Sequence, residues 1–233
     1  MAELVQVETD SGTMRVCAAS PAGDGPFPAV LVTIHGGGID DFEFDICDKL
    51  AAEGYIAAAP DIFHRQPDEK DAAVRRGNLK DDELIADINA GVAWIEGTGR
   101  ADMGKVGILG HCMGGRHAYL GACTNPIFRC VVPYYGGNMF VAWGHDGPSP
   151  FDRLSNLKAP VLAFYGNDDE NPSPDDVNKI EAELKRLGVD YEFHRYDGAG
   201  HAFQNFLAQD KYREPATKDS WARSVAFLKR HLG

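Results

Sequence analysis

Apolar residues along the 233-residue chain fall into two kinds of pattern. Two short segments, roughly Leu4 to Glu8 and Thr13 to Ala18, alternate apolar and polar side chains. They are separated by Asp10-Ser11-Gly12, a hairpin signal that predicts an antiparallel edge. After the loop from Pro21 to Pro28, Ala29-Val30-Leu31-Val32-Thr33-Ile34 is a continuous apolar run, the pattern of a strand buried on both faces. From there strand and helix patterns alternate. Residues 42 to 53 read as a helix stopped by Gly54, Tyr55 to Ala59 as a strand, and 81 to 96 as a helix with Leu84, Ile85, Ile88, Val92 and Ile95 on one face. Val106 to Leu109, Cys130 to Tyr134, Val161 to Tyr165 and Tyr191 to Tyr196 read as further strands. Residues 113 to 122, Pro174 to Leu187 and Ala216 to Leu232 read as helices, the last with Trp221, Val225 and Leu228 facing inward. This order predicts an α/β fold: a doubly wound, mostly parallel sheet in one domain spanning residues 1 to 233. The charged stretch Gln66 to Asp87 is the largest polar insertion, read either as a solvated loop and helix face or as a rim over a site.

Composition supports an ordinary globular chain, with 44% apolar and 25% charged residues, enough to bury a sizeable core. Charge narrows the partners. The 23 Lys+Arg against 35 Asp+Glu give a net charge of −12, which repels phosphate backbones and anionic lipid, so neither nucleic acid nor a membrane is expected as a partner. The 5 cysteines show no C-x-x-C spacing, which points away from a disulfide framework or a zinc ribbon and toward a reducing compartment. The opening MAELVQVETDSG has neither a basic nor an apolar leader region, and a cytoplasmic location is expected.

The sharpest chemical feature is Gly110-His111-Cys112-Met113-Gly114-Gly115, set between the strand ending at Leu109 and a helix. A nucleophile on a tight strand-to-helix turn needs glycine on both flanks, because a side chain there would collide with neighbouring backbone. The helix terminus and a histidine partner would favour a thiolate at Cys112. In this architecture the acid and the base follow the nucleophile in the chain. Gly166-Asn167-Asp168-Asp169-Glu170 follows one strand, and Asp197-Gly198-Ala199-Gly200-His201-Ala202-Phe203 follows the next, both at the carboxyl edge where open α/β sheets bind ligands. His201 is the candidate base and Asp169, ahead of Asp168, its orienting carboxylate. Ile34-His35-Gly36-Gly37-Gly38 follows the first buried strand, and the N–H groups of Gly36 and Gly37 with that of Met113 are candidates for an oxyanion hole. His35, Arg75, Arg76 and Phe203 are candidate substrate contacts, the arginines for an acidic substrate. Two other readings stand beside this one: a binding protein on a hydrolase scaffold, and a thiol redox or metal site at His111, Cys112 and His117.

With these residues in place the chain resembles the dienelactone hydrolase family of the α/β-hydrolase fold. The likeness spans roughly residues 30 to 230, and Glu53-Gly54-Tyr55 running into Ala59-Pro60-Asp61-Ile62-Phe63 adds to it. It implies Cys112 as nucleophile, His201 as base and Asp169 as its orienter, acting on a small ester or enol-lactone through a thioester, with no metal and no organic cofactor. Two departures stand out. Relatives of the dienelactone enzyme carry a glutamate after the first buried strand, where this chain has Gly36. That enzyme also has an arginine a few residues past the base, where this chain has Gln204-Asn205.

Overall fold

The alternating segments at the start of the chain pair as an antiparallel hairpin, β1 (Glu3–Thr9) with β2 (Gly12–Ala19), which forms one edge of a single eight-stranded sheet. The computed structural model describes residues 1–233. β3 (Phe27–Thr33), β4 (Ile56–Pro60), β5 (Ala101–His111), β6 (Phe128–Tyr134), β7 (Val161–Gly166) and β8 (Tyr191–Tyr196) complete the sheet in the order β1-β2-β4-β3-β5-β6-β7-β8. All pairings from β4 to β8 are parallel. The expected mostly parallel, doubly wound architecture is therefore present.

Side-chain alternation in β3 explains its continuous apolar run. Val30 and Val32 enter one core beside Phe42, Ile46 and Leu50 of α1 (Asp41–Ala52) and Phe227 and Leu228 of α6 (Glu214–Leu232). Ala29 and Leu31 enter the other, beside Ile88, Val92 and Ile95 of α3 (Asp81–Gly97), Tyr119 of α4 (Met113–Thr124) and Ile180 of α5 (Pro174–Leu187). α5 is bounded by local chemistry alone: Ser173 caps its N-terminus, Pro174 opens it, and Gly188 ends it at φ 70°. The inward stripe of α6 holds Leu228 as expected, with Trp221 packed half-buried against the same core, but serines share it. Ser220 and Ser224 are buried while Trp221 and Val225 are half-buried, because the buried Tyr134 hydroxyl bonds the Ser220 carbonyl and the Ser224 hydroxyl. The periodicity also passed over a six-residue helix, α2 (Ala72–Gly77), and a 3-10 turn at Asp152–Asn156. No helix is long and apolar enough to cross a membrane.

The topology positions the site. β3 lies between β4 and β5, so the winding reverses there and opens a crevice at the carboxyl ends of the strands. Thr33 pairs with Gly110, His111 with Tyr134 and Gly166 with Tyr196, which brings the loops after β3, β5, β6, β7 and β8 out along one edge.

At the turn after β5 the glycines are a packing requirement. A Cβ on Gly114 would stand 1.9 Å from the Thr33 carbonyl oxygen, and one on Gly110 would stand 2.2 Å from that of Gly114. Gly114→Ala should therefore cost at least about 3 kcal/mol, because backbone rather than a flexible side chain must yield. Gly97→Ala, with nothing within 4 Å of the added carbon, should leave stability unchanged or raise it by up to about 1 kcal/mol. Chemical denaturation of the two variants checks the contrast.

Candidate active site

Cys112 occupies the turn between β5 and α4 at φ 58°, ψ −123°, a conformation that residues with side chains rarely hold. Its N–H donates to the Tyr134 carbonyl at 3.0 Å and its carbonyl accepts from Gly115 N–H at 2.9 Å, so both sides of the strained residue are tied down. The Thr33 hydroxyl, donating to the Gly114 carbonyl at 2.7 Å, fastens the start of α4 to β3.

From the sulfur a chain of hydrogen bonds runs through two other loops. His201 Nε2 lies 2.8 Å from Cys112 Sγ, and His201 Nδ1 lies 2.9 Å from Asp169 Oδ2. The other Asp169 oxygen accepts from Asn171 N–H at 2.9 Å. Asp169 is buried, whereas Asp168 is exposed, so the two adjacent aspartates part here. Burial pushes the Cys112 thiol up, but the hydrogen bond and charge of His201, with the N–H groups of Met113 and Gly36, outweigh it and hold the thiol below its ordinary pKa. Burial likewise opposes charge on His201, and Asp169 and the Cys112 sulfur overcome it, raising its pKa to about 10. Both shifts run in the direction of a thiolate–imidazolium pair.

The expected contacts at the β3 loop divide. Gly36 and Met113 turn their N–H groups toward the sulfur, but Gly37 does not: its N–H donates to His35 Nδ1 at 3.0 Å. His35 itself is no free substrate contact, because Nε2 lies 3.1 Å from Asp40 Oδ2 and 3.2 Å from Glu43 Oε2. A carboxylate thus returns to this loop from the first turn of α1. His35, Asp40 and Glu43 bring three ligand atoms within 4.8 Å of one another, a spacing a metal ion could use. The Gly37 N–H takes up the Nδ1 lone pair, however, which leaves the ring proton on Nε2, where a metal would need a lone pair. His111 and His117 do not join Cys112 in such a group. His111 is turned to Gln204 and held neutral by burial, its pKa pushed down to about 3, and His117 packs against Trp143.

Cys112 and His201 open onto a cavity of about 490 Å³, also lined by Gly36, Met113, Arg76, Leu79, Asn138 and Trp143. Part of the polar insertion Gln66 to Asp87 forms its rim. That segment is anchored by buried charges, Asp87 to Arg65 at 2.7 Å and Asp81 to Arg116 at 2.6 Å. Arg76 faces the cavity, exposed, with no carboxylate partner and only the Gly36 carbonyl at 3.5 Å. Arg75 does not reach it. Its guanidinium lies 4.1 Å over the Phe63 ring and lines a neighbouring cavity with Arg15 and Asp61. Phe203 is also displaced from its expected role, being fully buried against Tyr134, Tyr135 and Tyr196 behind His201. Sequence reasoning missed Arg116 and Trp143, which stack at 3.8 Å in the cavity wall, and Tyr135, at φ 38° with its ring edge-on to His201 at 5.3 Å.

Residues 14–232 match the dienelactone hydrolase family, nearly the whole chain. The chain belongs to that family. A protein provisionally named a carboxymethylenebutenolidase from Methylorubrum extorquens is 32% identical over 226 residues, covering 94% of this chain and 77% of that protein. One from a Bradyrhizobium species, provisionally named a 2-oxo-3-(5-oxofuran-2-ylidene)propanoate lactonase, is 30% identical over 98% of this chain and 94% of its own. The crystal structure of a provisionally named dienelactone hydrolase from Klebsiella pneumoniae superposes with a TM-score of 0.91 at 30% identity, covering 98% of both chains. The fold is thus that of the α/β hydrolases, and the chain is a hydrolase of the dienelactone hydrolase type. Within this family member the stretch past His201 offers no cation, since Gln204 is buried on His111, and Arg76 is the unpaired arginine at the cavity.

If the sulfur and the imidazole ionise as a pair, alkylation of Cys112 by iodoacetamide should stay fast as pH falls below the ordinary thiol range. In His201→Ala burial remains without its counterweight, so the midpoint of the pH–rate curve should rise to the ordinary thiol value or beyond. An unchanged midpoint would refute the pairing.

Proposed function

We propose that this hydrolase opens lactones and cleaves activated carboxylic esters that carry an anionic group, with Cys112 as nucleophile, His201 as base and Asp169 as its orienter. The observation that carries the reading is the unbroken chain Asp169–His201–Cys112, ending in a sulfur that faces a cavity and two backbone N–H groups.

In the first step the Cys112 thiolate adds to the carbonyl carbon, and the carbonyl oxygen becomes an oxyanion held by Gly36 N–H and Met113 N–H. Collapse of this intermediate breaks the bond to the alkoxy or enolate oxygen, which takes its proton from the His201 imidazolium. The product is a thioester on Cys112, and in a lactone the released hydroxyl or enol stays tethered to it. In the second step neutral His201 takes a proton from water as the water adds to the thioester. The C–S bond then breaks and returns the thiolate with the carboxylic acid. Asp169 keeps Nδ1 protonated and Nε2 toward the sulfur throughout. A thiolate is itself readily expelled from a tetrahedral intermediate, so a substrate needs a leaving group at least as good, and amides are poor substrates.

Arg76 supports the anionic part of the reading, because an unpaired guanidinium at the rim can form a forked bond to a carboxylate. The lactone named for the Bradyrhizobium relative is a 2-oxo carboxylate, the same combination of lactone and anion.

A panel of lactones, aryl esters and alkyl esters tests this. Cys112→Ala should abolish turnover of all of them, and full turnover in that variant would remove the mechanism. Asp169→Asn should lower kcat by about three orders of magnitude or more, whereas Asp168→Asn, exposed and outside the chain of bonds, should lower it little. Arg76→Ala should raise KM for an anionic lactone by about tenfold or more while leaving a neutral aryl ester within about twofold. Equal effects on both substrates would take the anion-reading role away from Arg76.

A further inference from the structure

The turn that supplies Gly36 N–H is built of three consecutive glycines, the residue with most backbone freedom to lose, so something else has to hold it. The contacts that do so converge on one side chain. Gly37 N–H donates to His35 Nδ1 at 3.0 Å, and Gly38 N–H donates to the His35 carbonyl at 3.1 Å. A Cβ on Gly37 would stand 2.3 Å from His35 Cε1, so the imidazole lies directly against the turn. The far side of the ring is anchored on α1. Nε2 reaches Asp40 Oδ2 at 3.1 Å and Glu43 Oε2 at 3.2 Å, and the His35 backbone N–H donates to Glu43 Oε1 at 3.2 Å. Asp40 is at the same time the N-cap of α1, its Oδ1 accepting from Phe42 N–H at 2.9 Å, so the helix start and the glycine turn share one fastening.

We propose that His35 is a positioning residue, clamping the glycine turn between α1 and Cys112 so that Gly36 N–H stays aimed at the developing oxyanion. The inference rests on the acyl-transfer reading above. His35 does not touch the substrate: its side chain is 14% exposed and both ring nitrogens are occupied by the chain. The clamp needs the neutral ring with its proton on Nε2, because a proton on Nδ1 would face the Gly37 N–H. Asp40 and Glu43 outweigh burial and favour that second proton, whereas the Gly37 N–H, aimed at Nδ1 from 3.0 Å, stands where it would have to sit.

Two substitutions separate the limbs of the clamp. In His35→Gln the amide nitrogen stands near the place of Nε2, which keeps the anchor on α1 but removes the acceptor for Gly37. In His35→Asn the amide oxygen stands near the place of Nδ1, which keeps the acceptor. With an activated aryl ester, His35→Gln should lower kcat at least about tenfold with KM within about twofold, since oxyanion donors act in the transition state. His35→Asn, which keeps the acceptor and gives up the anchor, should lower kcat only about threefold to fivefold, less than His35→Gln does. Alkylation of Cys112 by iodoacetamide, a displacement that forms no oxyanion, should stay within about threefold in both. Asp40→Asn keeps a helix-capping side chain while weakening the ring anchor, and serves if His35→Gln does not fold; it should lower kcat at least about threefold with alkylation unchanged. Wild-type kcat in His35→Gln, or in Asp40→Asn where that is the variant read, overturns the clamp, as does an alkylation rate that falls in step with kcat, which would place the effect on the sulfur. A His35→Asn no better than His35→Gln overturns it too. These results leave the acyl-transfer reading standing, whereas an unaltered protein that turns over no ester or lactone removes both.

Discussion

Cys112 is held at positive φ by contacts that leave it no room to relax, and the rest of the site follows from that constraint. A residue in this region costs about 1–3 kcal/mol, which persists only where the surroundings over-determine it. Here they do: Tyr134 and Gly115 tie the backbone on both sides, Thr33 fastens the next turn, and Gly110 and Gly114 let β3, β5 and α4 approach to distances at which a methyl group would overlap backbone. The strain turns the sulfur out of the sheet edge toward His201. It also leaves Met113 N–H at the head of α4 pointing at the same space.

Electrostatics extends this arrangement. The protein carries a net charge of −12, yet the groups that meet at the sulfur, the His201 ring and two N–H groups, favour negative charge there, while the rim presents Arg76. Two of the acidic residues of α3 are buried and spent on structure. Asp81 takes Arg116, and Asp87 takes Arg65 and His64, so the polar insertion is pinned to the helix beneath it. That pinning is what allows a surface-charged segment to act as a cavity wall, because breaking either pair would leave a charge buried without a partner. Asp40 and Glu43 play the matching part on the other side, where α1 meets the glycine turn.

Much of this was legible from local pattern. Hydrophobic period separates β3 from α1 and α3, and Ser173-Pro174 and Gly188 mark both ends of α5 without any tertiary information. The elbow was legible because its glycines answer a steric need that is itself local, and the loops bearing Asp169 and His201 because each follows an apolar strand. By itself the sequence determined the mostly parallel sheet, the edge at which chemistry collects, and the order of sulfur, carboxylate and imidazole along the chain. What it left open turns on direction and on contacts between distant segments. Arg75 and Arg76 are neighbours on a helix, roughly 100° apart about its axis, and only packing against Phe63 decides that Arg75 turns away while Arg76 faces the cavity. Gly36 and Gly37 look alike in sequence, and only the position of the His35 ring assigns one N–H to the sulfur and the other to Nδ1. Phe203 lies two residues past His201, yet faces the core because Tyr134, Tyr135 and Tyr196 fill the space around it. Arg116 and Trp143 become one wall of the cavity only through a stacking contact across 27 residues of chain. Periodicity reports which face of an element is buried, whereas the partner met by a polar side chain at the end of a strand is set by which distant loop folds beside it, and that only the tertiary structure decided.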